Sequence, residues 1–204
     1  MTKDDVVRII INCAKMYDKN LNEHNLLFIV TDKTGNLSTY EMIFLPNNFM
    51  HMCGVKFREG KKLDAFTFYN RCLNHRLSPD DFELAEDGTT EMKLRVLPSL
   101  LTTNLSANML GDYIGNKPML FTDKLAGGSR GCIGFVNRIK NFYVPNTVLN
   151  VDIRDVIKDK KRIIITYRKH KNERKYQEIV YKAKNIDWNN FKYPDEIENL
   201  IIRE

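Results

Sequence analysis

No stretch of the sequence comes near the roughly 20 consecutive apolar residues that a membrane-crossing helix needs, so no helical anchor is expected. The opening Met1-Thr2-Lys3-Asp4-Asp5 is charged and runs straight into an amphipathic segment, without the apolar core of a secretion signal. Cys13, Cys53, Cys72 and Cys132 form no C-x-x-C pair and have no histidine-rich companion segment, which argues against a zinc site or a disulfide framework. Low-complexity runs and internal repeats are missing too, and neither the G-x-x-x-x-G-K-[ST] phosphate loop nor a dinucleotide fingerprint occurs. These absences leave a reduced, cytoplasmic protein without metal or cofactor as the expectation.

What is present is an ordinary globular composition, 43% hydrophobic and 28% charged, over 204 residues, enough to bury one core. A single domain is expected over 1–204, with a body at about 25–185, an N-terminal helix at 4–16 and a packed tail at 186–204. The formal net charge of +6 favours an anionic partner, and nucleic acid gains affinity from such a surface through counterion release.

Along the chain, Asp4 to Met16 has the apolar spacing of a helix with one broad buried face. Leu26 to Val30 and Ser38 to Phe44 flank the turn formers Asp32 to Asn36 and read as a hairpin. Lys61 to Leu77 has helical spacing, and Ser78-Pro79-Asp80-Asp81 has the N-cap and first-turn proline of a second helix. Glu91 to Leu101 suits a helix interrupted by Pro98, and Leu105 to Ile114 suits helix or extended chain equally. Pro118 to Thr122 and Cys132 to Val136 read as two strands joined by Asp123 to Gly131. Arg162 to Arg168 and Tyr176 to Lys182 form a hairpin around a basic tip, and Pro194 to Arg203 a closing helix. The fold class is therefore α+β: an antiparallel sheet built from hairpins, with helices packed on one side.

Four places carry candidate chemistry. His51 follows a strand and a Pro46-Asn47-Asn48 corner, and histidine is the side chain that exchanges a proton near neutral pH. Its neighbours Phe49, Met50, Met52 and Val55 equally suit a buried core histidine. The connection Asp123 to Gly131 holds Lys124, Ser129, Arg130 and three glycines, a set able to approach a phosphate or to serve as a flexible link. Asn146 and Thr147 follow Pro145 and could orient a ligand or cap the next element. The basic tip beside Arg168 and Lys169 is a solvated turn or a grip on a phosphate backbone.

The order of these pieces resembles a known family. Phe49-Met50-His51-Met52-Cys53-Gly54-Val55 precedes Phe68-Tyr69, then Phe121-Thr122-Asp123-Lys124, then Leu125-Ala126-Gly127 with Gly134-Phe135. Tyr143 to Leu149 with Asp152-Ile153-Arg154 and then Tyr176 to Tyr181 complete the series. This is similar to the fourth group of phage-associated nucleases related to barnase, EndoU, certain colicins and RelE.

The resemblance implies helices on an antiparallel sheet and metal-independent cleavage of nucleic acid, RNA before DNA, by proteins of phages or mobile elements that act as toxins. Such cleavage needs a base for the ribose 2′-OH, a donor for the leaving oxygen and cations at the phosphate. Under it, His51 is the base or acid, and Lys124 and Arg130 offset phosphate charge. Ser129, Asn146 and Thr147 orient the phosphate, and Tyr181 or Glu178 completes proton transfer. Arg154, Arg168 and Lys169 are expected on nucleic acid. No counterpart to a second catalytic histidine is evident among His24, His75 and His170. The competing reading is a binding protein of the same origin, with a host defence or nucleic-acid-handling protein, or a cognate inhibitor, as partner. A transferase for small phosphate compounds around Lys124 to Gly131 is a third.

Overall fold

The computed structural model describes residues 1–60, 63–115, 120–139 and 142–202. Helix α1, Lys3–Asn20, begins at a reciprocal cap in which the Thr2 hydroxyl accepts from the Asp5 N–H and the Asp5 carboxylate accepts from the Thr2 N–H. Val6, Ile10, Cys13, Ala14 and Tyr17 form its buried face. Strands β1, His24–Thr31, and β2, Leu37–Ile43, make the expected hairpin. Its turn is fixed by Asp32, whose carboxylate accepts the backbone N–H groups of Thr34 and Asn36 at 2.9 Å each, with Gly35 at φ 88.

Helix α2, Pro46–Cys53, stops at Gly54 in the left-handed conformation. A small sheet pairs β3, Val55–Phe57, with β4, Phe82–Leu84, around α3, Ala65–Leu73. Ser78 to Asp81 has the predicted cap but makes only one 3-10 turn, because the next residues are already committed to β4. Helix α4, Thr89–Leu100, accommodates Pro98 near its end.

The remaining elements are strands: β5, Met109–Tyr113; β6, Lys124–Gly128; β7, Gly131–Ile139; β8, Phe142–Leu149; β9, Ile157–His170; and β10, Glu178–Lys182. The sheet order is β1-β2-β8-β7-β6-β5-β9-β10, and β1 also pairs with β9, so the ladder closes on itself. All pairings in it are antiparallel except the short parallel contact of β2 with β8.

Closure explains the unbroken apolar run of β1. Leu26, Phe28 and Val30 join the core under α1 to α4, whereas Leu27 and Ile29 face Ile165, Tyr167 and Tyr176 and the tail residues Ile197 and Ile201. A third cluster sets Leu125, Cys132 and Leu149 under the turn at Ile153. The chain is thus α+β, with α1 to α4 on one face. The C-terminal helix is one turn, α5, Asp195–Glu198, on the other.

The predicted glycine connection is where sequence and structure part. Pro118 and Met119 lie outside the described residues, Leu120 to Asp123 are not strand, and the strand starts at Lys124. Gly127 pairs with Cys132 and Gly128 with Gly131, which leaves Ser129-Arg130 as the whole turn. The glycines answer a need for space. A Cβ on Gly127 would lie 2.3 Å from the Gly131 carbonyl oxygen, and one on Gly131 would lie 2.4 Å from Val96 Cγ2.

Candidate active site

The site grows out of the core itself. Met42, Leu110, Ala126 and Ile163 belong to the apolar face beneath the helices. Two residues along each strand, the same face presents Tyr40, Asp112, Lys124 and Lys161. One end of the stripe has turned polar.

A β-bulge sharpens this change. Asp112 pairs with Lys158 and Leu110 with Lys161, so Gly111 alone opposes both Asp159 and Lys160. Asp159 carries the bulge in the left-handed region, at φ 49. Strict alternation would send Lys158 and Lys161 to opposite faces; the extra residue brings both to the face of Asp112. Gly111 is required there, because a Cβ would lie 2.7 Å from the Lys158 carbonyl oxygen.

The side chains form a connected chain. Lys124 pairs with Asp112. Lys161 Nζ donates to Tyr40 Oη at 2.7 Å and to Ser38 Oγ at 3.2 Å. The ammonium groups of Lys124 and Lys161 lie 5.3 and 5.1 Å from the centre of the Tyr40 ring, which meets Tyr143 edge to face at 5.9 Å. They border an open cleft of about 550 Å³ whose other walls hold Asp32, Lys33, Lys158, Asp159 and Lys160. Burial works against the Lys124 charge, but Asp112 and then the Tyr40 and Tyr143 phenols outweigh it and raise its pKa above the usual lysine value. Lys124 is a fixed cation at neutral pH.

The other predicted residues are dispersed. His51 is exposed on α2 rather than buried, because Phe49, Met50, Met52 and Cys53 occupy the helix's inner face; it does not line the cleft. Lys93 Nζ donates to its carbonyl oxygen at 3.1 Å, and Arg138 lies in its electrostatic reach. Asn146 ties the segment before Lys124 to β8: its side-chain amide donates to the Phe121 carbonyl and its oxygen accepts from Thr122 Oγ1 at 3.2 Å. The buried Thr147 hydroxyl has no hydrogen-bond partner among the described residues.

Ser129 and Arg130 form the turn just beyond Gly128, the end of β6 that lies four strand steps or about 13 Å from Lys124, beside a separate 260 Å³ pocket with Ser99, Ser106 and Asn108. Lys124 and Arg130 thus line different pockets. Arg154 is held by Asp152 at 3.0 and 3.1 Å. Arg168 and Glu178 form a two-pronged pair at 2.7 and 2.9 Å and so satisfy one another. Lys169 lies over the Tyr176 ring, and Tyr181 is half-buried between two core clusters.

Sequence reasoning missed Tyr40, Asp112 and Lys161. A signal existed in that each is a polar residue two positions from a core residue on its strand. It also missed that His24 and His170 face each other across β1 and β9, with ring centres 5.6 Å apart. Among the described residues, no three His, Cys, Asp or Glu side chains are grouped as a metal site.

The family model described as phage-Barnase-EndoU-ColicinE5/D-RelE like nuclease4 matches residues 9–185. The chain belongs to this nuclease family. The match runs from within α1 to just beyond β10, so the whole closed ladder and every group of the cleft fall inside it. No curated protein and no solved structure matches the chain. Nucleic acid is the substrate class that goes with a nuclease family. No helix among the described residues is long and apolar enough to cross a membrane.

Proposed function

We propose that this family member is a metal-independent endoribonuclease of a phage or other mobile element, and that it cleaves RNA in the Lys124 cleft. The contact chain of Asp112, Lys124, Tyr40 and Lys161 carries this reading, since it contains every group that the reaction needs. In it, Asp112 takes the proton of the ribose 2′-OH. The 2′-oxygen then bonds to phosphorus, the P–O5′ bond breaks, and Tyr40 gives its proton to the departing 5′-oxygen. Lys161 donates to the Tyr40 oxygen, which leaves the phenol's own proton available and supports the phenolate that forms. The Lys124 and Lys161 cations offset charge gathering on the phosphate. Asn146 and Thr122 hold the segment leading into Lys124 and act as positioning residues. The products are a 2′,3′-cyclic phosphate and a 5′-hydroxyl.

The test is incubation of the purified protein with end-labelled RNA and DNA of one sequence, with and without a chelator. The expected result is chelator-resistant RNA cleavage with cyclic phosphate ends, and intact DNA. Cleavage of DNA, loss of RNA cleavage with chelator, or binding of RNA without cleavage overturns the reading.

A further inference from the structure

The cleft contains more charge than one reacting phosphate uses. Its lining holds five lysines, Lys33, Lys124, Lys158, Lys160 and Lys161, against three aspartates, a formal excess of two positive charges. Lys124 and Lys161 are committed to Asp112, Tyr40 and Ser38. Lys160 is in the electrostatic reach of Asp152. The side chains of Lys33 and Lys158 have no hydrogen-bond or ion-pair partner among the described residues.

Neither of these two lysines is placed casually. Lys158 is directed to the cleft by its pairing with Asp112 at the Asp159 bulge. Lys33 stands on the β1–β2 turn, which the Asp32 carboxylate makes rigid through the N–H groups of Thr34 and Asn36 and the Thr34 hydroxyl. Those donors also absorb the Asp32 charge and hold its pKa at about 2, so this carboxylate is already engaged where a phosphate would meet it.

We propose that Lys33 and Lys158 form a second phosphate subsite in the cleft, so that the substrate is a strand presenting two successive phosphodiesters. One is cleaved at Asp112 and Tyr40; the other is only held. The inference rests on the ribonuclease reading. It adds that short substrates with one phosphodiester are bound without the second anchor, and the excess of two positive charges matches two diesters of one negative charge each.

The experiment compares binding of two non-cleavable probes, a 2′-O-methyl dinucleotide with one phosphodiester and a 2′-O-methyl trinucleotide with two, by calorimetry over a salt series. Wild-type protein is expected to bind the trinucleotide about tenfold more tightly and with a steeper salt dependence, by about one unit of slope. Lys33→Ala with Lys158→Ala is expected to reduce that preference to about twofold or less and to remove the extra slope. Equal wild-type affinity for the two probes overturns the subsite, as does a preference that survives both substitutions. The probes lack a free 2′-OH, so the readout is independent of the cleavage assay, and failure of either test is recognised separately.

Discussion

The Lys124 cleft and the surface around His51 both place cations beside a group able to exchange protons, with opposite electrostatic results. In the cleft the cations face a carboxylate and phenols, and Lys124 is held more firmly protonated. At His51, displaced hydration comes first, then Lys93 and Arg138, and all three lower the imidazole pKa below its ordinary 6.5. His51 is consequently biased towards its neutral form, an imidazole with two positive neighbours and, among the described residues, no carboxylate acting on it. At the cleft a carboxylate, a phenol and two ammonium groups are linked in one chain of contacts, whereas the helix surface presents an imidazole and two cations. The carboxylate and the phenol beside the cations, more than the presence of a histidine, distinguish the two regions.

The largest expected effect decides between them directly. Asp112→Asn preserves shape and removes the base, and should lower the single-turnover rate on RNA by about 10²- to 10⁴-fold. His51→Ala should cost less than Asp112→Asn. A larger loss at His51 would move the proton-transfer centre to the His51 surface.

Strand β7 serves both regions, since Phe135 pairs with Lys124 and Arg138 reaches towards His51. A Cβ on its Gly134 would lie 2.6 Å from Thr147 Cγ2 and 2.7 Å from Thr122 Oγ1. Gly134→Ala should therefore destabilise the fold by about 1–3 kcal/mol in chemical denaturation. An unchanged midpoint would show that the Thr122 and Asn146 clamp yields readily.

The smallest effect separates the regions by pH. Asp32 is held at about 2 in the folded state against 3.8 ordinarily, first by the Thr34 hydroxyl against some desolvation, then by the Asn36 and Thr34 amides. Its stabilisation is present above about pH 4 and lost as pH falls towards 2. Asp32→Ala should therefore lower Tm above pH 4 and converge with wild type near pH 2. The lowered pKa of His51 makes its protonation unfavourable in the fold, so stability should fall as pH drops below 6.5. His51→Ala should remove that upper loss alone. The two Tm profiles exchanging windows would contradict both assignments.

Much of the scaffold could be read along the chain. Alternation and turn residues marked the β1–β2 hairpin and the pairing of β9 with β10, and apolar spacing marked α1, α3 and α4. The glycines of β6 and β7 misled because glycine serves tight packing as readily as a loose turn, and only the neighbouring backbone distinguishes the two. Context along the chain singles out His51, but a list of neighbours does not tell that it lies on the outer face of α2.

The sequence alone determined the α+β class and family membership, through local periodicity and the order of short motifs. It also identified Lys124 as a candidate. Tertiary structure decided which residues accompany Lys124. Strand closure brings Tyr40, Asp112 and Lys161 together from β2, β5 and β9, and one extra residue at Asp159 sets which face Lys158 takes. Register across distant strands is not written in any local pattern, and a shift of one residue reverses every side chain it carries.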